Sequence, residues 1–145
     1  MSFLRRGVHF LRNNHNKSLS IYAFLLAGWY RFCILCFPMR ITEKKFGKRG
    51  IESPQELPEN QQKYGEKISR IANRICNQTK WQSKCLVRAM VAQKLLTRKH
   101  ISSTLYLGVK KENDKLIAHA WLRTGRLYCT GGDGKDFTIV AKFCK

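Results

Sequence analysis

The sequence predicts an α+β domain, with helices first and an antiparallel sheet after them. Three observations predict it. Apolar residues recur at helical spacing up to about His100 and then alternate singly, the periodicity of strands. Polar, Gly- or Pro-containing stretches punctuate the chain where one element must stop before the next begins. With 145 residues, 43% of them hydrophobic and 11% aromatic, the chain is sized for one core of its own.

Residues 18–37 read as an apolar helix that Pro38 ends. Residues 47–60, with Gly50, Pro54 and Pro58, read as a loop. It divides a helical, apolar and basic segment, 1–50, from the rest, 51–145. From 59 to 77, Tyr64, Ile68, Ile71 and Ile75 recur at helical spacing. Ser83 suits an N-cap for a helix running to about Lys99. Arg98, Lys99 and His100 fall in its last turn, where cations complement the helix dipole. On this helix Cys85, Ala89, Ala92 and Leu96 share a face, and the two alanines allow close approach to a sheet. Strands follow at 103–110, 116–123, 126–130 and 137–143, joined by a polar turn at 111–115, a tight turn at Thr124-Gly125 and a loop at 131–135. In the second strand Ile117, His119 and Trp121 share one face. The strands read as an antiparallel meander.

Lys and Arg total 28 against 9 Asp and Glu, a formal net charge of +19. Such a surface attracts nucleic acid, acidic lipid headgroups or acidic proteins. The cations are spread along the chain, with no basic arm, zinc-finger spacing or RNA-binding signature, so nucleic acid is not the expected partner. The six cysteines, Cys33, Cys36, Cys76, Cys85, Cys129 and Cys144, lie in or beside apolar runs. They read as reduced thiols in a cytosolic protein. Arg31 interrupts the apolar stretch 21–37, which is short for a membrane span and is followed by no small-residue cleavage site. A core or interfacial helix is the reading, with peripheral attachment to a membrane left open.

Two residues stand out chemically. A thiolate is favoured at a helix N-terminus and by a neighbouring imidazolium, and Cys85 lies two residues past the proposed N-cap. A strand holds an imidazole rigidly, as a general base requires, and His119 sits on the strand expected beside that helix. Trp121 could wall the site. Against this, a buried cysteine can be inert packing, and a histidine on an apolar strand can be structural. Cys33-x-x-Cys36 has the spacing of a redox or zinc pair but no second Cys/His pair to complete it, so no metal and no cofactor is expected. Cys76, Cys129 and Cys144 read as packing residues.

Residues 67–132 resemble the transglutaminase-like, papain-related leader peptidases of bacterial lasso-peptide biosynthesis. The matching pieces are Trp81-Gln-Ser-Lys-Cys-Leu-Val-Arg-Ala-Met90, Leu105-Tyr-Leu-Gly-Val109 and Ala118-His-Ala-Trp-Leu122 followed by Gly125. Arg31-Phe-Cys-Ile-Leu-Cys-Phe-Pro-Met-Arg40, followed by Phe46-Gly47, is similar to the amphipathic front segment of those proteins. The resemblance implies a papain/transglutaminase-like core, with the catalytic helix packed on a small antiparallel sheet. It makes Cys85 the nucleophile and His119 the base. The family's third member is an Asp near the position of Thr130 or Gly131. Asp133 is the nearest acid here and Asp136 the next. Gly131-Gly132 would let the chain fold Asp133 back toward the imidazole. The alternatives are that both acids solvate a surface loop, and that a backbone carbonyl or side-chain amide orients the ring.

The resemblance further implies a cytoplasmic cysteine peptidase that removes the leader from a ribosomally made lasso precursor before macrolactam formation. Its partners would be the precursor leader peptide, a separate leader-recognition protein and an ATP-dependent lasso cyclase. No Gly-rich phosphate loop is present in this chain. Two other readings stand beside it: a Cys–His acyltransferase or transglutaminase, and a non-catalytic scaffold.

Overall fold

The computed structural model describes residues 16–79 and 85–145. Helix α1 spans Lys17–Cys36. Phe37 leaves it in an extended conformation (φ −119°, ψ 144°), as a residue before proline must. Pro38 then starts a short helix α2, Met39–Thr42, followed by a 3₁₀ turn, Glu43–Lys45. Inside the stretch expected to be loop lies a two-residue strand β1, Lys48–Arg49, too short to show alternation. Helix α3, Glu59–Gln78, follows Pro58 and buries Ile68, Ile71, Ala72, Ile75 and Cys76 on one face. Helix α4 spans Cys85–Thr97. The expected N-cap, Ser83, lies outside the described residues.

Four longer strands complete the sheet: β2 (Thr104–Glu112), β3 (Lys115–Thr124), β4 (Leu127–Thr130) and β5 (Thr138–Cys144). The β2–β3 hairpin turns on Asn113 and Asp114, both left-handed (φ 50° and 58°), as a two-residue hairpin matching the strand twist demands. The order is β1-β5-β2-β3-β4, all antiparallel. The expected meander therefore holds only for β2, β3 and β4. The last strand returns to the far side of β2. Alternation reveals that a segment is a strand but not which neighbour it pairs with.

The sheet has two unlike faces. Leu105, Leu122 and Phe143 point to the helices and join one core with Ala27 of α1, Ile68 of α3 and Leu95 of α4. Ala89 and Ala92, both fully buried, let α4 lie close to the sheet. The mixed helical and antiparallel architecture is that of an α+β domain. On the opposite face Tyr106, Trp121 and Arg123 are buried under the chain around Ser53 and Phe137. There the Arg123 guanidinium donates to the Tyr106 hydroxyl and to the carbonyls of Ser53 and Gly125.

Candidate active site

Cys85 opens the described part of α4, half-buried, and α4 packs against β3. The pairing of β3 with β4 ends at Leu122↔Thr130. Ala120, two residues earlier on β3, thus lies beyond the end of β4, and its backbone N–H donates to Cys85 Sγ at 3.3 Å. The residue before Ala120 is His119. The helix and the strand singled out from the sequence therefore meet at the sulfur through the Ala120 amide, while the His119 side chain lies on the strand face that carries Trp121. A backbone N–H aimed at sulfur gives negative charge there a donor held in place by the sheet.

His119 is half-buried, and its Nε2 lies 2.7 Å from the Gly131 carbonyl oxygen. A carbonyl only accepts, so Nε2 carries the hydrogen and Nδ1 of the neutral ring is the basic nitrogen. Trp121 stacks on the imidazole at 5.9 Å between centroids, and Phe137 lies against it at 4.8 Å. Tyr106 stacks on the other side of Trp121 at 5.5 Å. This aromatic row fixes the plane of the ring and shields one side of it from water.

The carbonyl that holds His119 is itself held. Gly131 is left-handed (φ 75°), and a Cβ there would come within 2.5 Å of the Ala120 oxygen. Only glycine lets the chain turn so close to β3. Two residues earlier, the Cys129 carbonyl accepts from Ser69 Oγ at 2.6 Å and from Asn73 Nδ2 at 2.9 Å, both on α3. Helix α3 thereby pins the end of β4 from which Gly131 projects. Arg88, three residues after Cys85 on α4, donates to Asn77 at 2.8 Å and to Asn73 at 3.5 Å. Ser69 and Asn73 were not singled out in the sequence, and Gly131 was named there for its turn and its place beside the expected Asp, with a backbone carbonyl only as an alternative partner for the ring. The Gly131-Gly132 pair signalled a turn, whereas nothing local marks Ser69 or Asn73, whose partner is about sixty residues away.

The structure does not bring Asp133 to the imidazole. Its exposed carboxylate accepts from the Lys135 backbone N–H at 3.2 Å and pairs with Lys135 Nζ at 3.0 Å. Those Lys135 contacts hold the Asp133 carboxyl below its ordinary range. Asp136 is exposed. Thr130 and Gly131 stand where the resemblance expects an Asp, and the Gly131 backbone carbonyl binds the ring.

All six cysteines are free thiols. Burial pushes the Cys129 thiol up to about 12, which keeps it protonated. Cys33 is buried and Cys36 exposed, and both thiols are free. Among the described residues no three His, Cys, Asp or Glu side chains converge to hold a metal ion. Two surface hollows lie elsewhere, one along α1 and one where α1, α3 and α4 meet, and neither is lined by Cys85 or His119.

A family model described as the transglutaminase-like superfamily matches residues 33–142, well over half of the chain and with both Cys85 and His119 inside it. No curated protein and no solved structure matches.

Proposed function

The chain belongs to the transglutaminase-like superfamily, whose members are typically cysteine proteases or acyltransferases, and we propose that it is a cysteine peptidase acting on a ribosomally made precursor peptide. The observation that carries the reading is the pairing of two contacts: the Ala120 amide on Cys85 Sγ and the Gly131 carbonyl on His119 Nε2. One presents a donor to a sulfur anion, and the other leaves Nδ1 free to take a proton.

In the proposed reaction His119 Nδ1 takes the Cys85 proton as sulfur attacks the scissile carbonyl carbon. The C–N bond then breaks, and the imidazolium returns the proton to the leaving amine. A thioester to Cys85 remains. Water attacks it, giving its proton to His119, and the C–S bond breaks to release the acid and regenerate the thiol. The Gly131 carbonyl holds the ring's tautomer and orientation through these steps, the positioning part of what a carboxylate does in a Cys–His–Asp arrangement.

For the substrate, the resemblance of the Cys85 and His119 segments favours the leader of a lasso precursor. The freed core amine would pass to a separate ATP-dependent cyclase, and a separate recognition protein would present the leader. The second reading, transfer of the acyl group to an amine, shares every residue and differs only in the acceptor. Precursor peptide is incubated with the chain and its recognition partner, with and without added amine, and the products are weighed by mass spectrometry. Free leader acid in both samples is the expected result. An amine adduct that displaces the acid assigns transferase activity, and intact precursor in both overturns the peptidase reading.

A further inference from the structure

Helix α1 carries two apolar stripes on opposite sides. One, with Ala23, Leu26, Ala27, Tyr30 and Cys33, is buried in the core against α3 and α4. The other is open to solvent: Leu25 is 61% exposed, Trp29 53%, Phe32 51% and Leu35 66%. It continues past Pro38 through Met39 and Ile41 of α2, each 48% exposed. Isolated exposed apolar side chains are ordinary, but a continuous row of them along a helix and the next turn marks a binding surface.

The charge carried by the same stretch of chain points to its occupant. Residues 16–50 hold seven cations, Lys17, Arg31, Arg40, Lys44, Lys45, Lys48 and Arg49, against the single acid Glu43. Glu43 is already within 3.9 Å of Arg49. Lys45 Nζ sits 5.5 Å from the centre of the Trp29 ring, so charge and indole share one edge of the row. A second copy of the chain would bring this cationic rim against its like, which costs energy. Helix α1 is long and apolar enough to cross a bilayer, but its inner stripe is packed in the protein core, which holds it on one side. An open apolar row with an aromatic and a cationic border suits the boundary between headgroups and acyl chains, with Lys and Arg reaching the phosphates.

We propose that the outer face of α1 and α2 seats the protein on an anionic lipid surface, with the row from Leu25 to Ile41 entering the headgroup boundary and the cations around it on lipid phosphates. This surface is independent of the peptidase reading.

The full chain is sedimented with vesicles of phosphatidylcholine alone and of phosphatidylcholine with phosphatidylglycerol. Binding is expected to the anionic vesicles, to fall as salt rises, and to be at least about tenfold weaker on neutral ones. Leu25→Glu and Leu35→Glu, each at an open position, should each lower the partition about tenfold while the thermal unfolding midpoint stays that of wild type. Two variants on separate turns guard against one of them failing to fold. Absence of the wild-type chain from the anionic pellet overturns the proposal. So does equal partition of wild type and both folded variants. A solution dimer that the same substitutions dissociate, with no vesicle binding, assigns the face to a second copy instead. Capture of an acidic soluble protein through this face, again with no vesicle binding, assigns it to a protein partner.

Discussion

Helices α1 and α4 are both apolar, yet the fold uses them differently. Eight of the 13 residues of α4 are buried, against six of the 20 in α1, so α4 is enclosed and α1 is laid on the surface. Enclosure is what positions Cys85. With Ala89 and Ala92 against the sheet and Leu95 and Leu96 in the core, α4 has little freedom to slide, and its sulfur stays on the Ala120 amide. Apolar composition alone thus does not say whether a helix builds a site or offers a surface. The count of sides covered does.

The sharpest break in that comparison is chemical. His119→Ala should lower turnover roughly 10²–10⁴-fold in a steady-state cleavage assay, the usual worth of a positioned base. The substitution keeps the Ala120 amide on Cys85, so the loss should fall mainly on kcat. A folded mutant within tenfold of wild type would assign the base elsewhere.

Stability should divide the two helices as burial does. Leu96→Ala removes a fully buried side chain of α4 and should cost about 2–5 kcal/mol in denaturant unfolding. Leu25→Ala, on the open row of α1, should stay within about 0.5 kcal/mol. Equal losses would mean that the outer stripe of α1 is covered in solution.

The smallest effect is expected at the loop after β4. Asp133→Asn removes a carboxylate that contacts Lys135 and leaves the Gly131 carbonyl on His119 untouched. Turnover should remain within about twofold of wild type, since exposed pairs of this kind contribute little. A large loss of kcat, with unfolding unchanged, would show that Asp133 reaches the imidazole during the reaction.

Much of the fold was legible because periodicity is local. The change from helical recurrence in α3 and α4 to alternation in β2 and β3 is written in neighbouring residues, and Pro38 stops α1 by its own ring. Cys85 and His119 were picked out as candidates for a related reason: a helix start and a rigid strand are signalled one at a time. What was hidden depends on residues distant in sequence. The return of β5 to β2 depends on how residues 131–137 cross the sheet over Trp121. The anchoring of β4 by Ser69 and Asn73 joins residues about sixty apart, and the donor to the sulfur is a backbone amide that any residue at position 120 but proline would supply. Asp133 drew notice because acids orient histidines, whereas here a carbonyl does so through a turn only glycine permits.

The central claim is that Cys85 forms a covalent bond to the acyl group it cleaves. A precursor-derived peptide with an electrophile at the scissile carbonyl is incubated with the chain, and the adduct is mapped by digestion and mass spectrometry. The account predicts one adduct, on Cys85, and predicts that Cys85→Ala forms none, cleaves no precursor and unfolds at the wild-type midpoint. Cleavage by Cys85→Ala at the wild-type rate would contradict it.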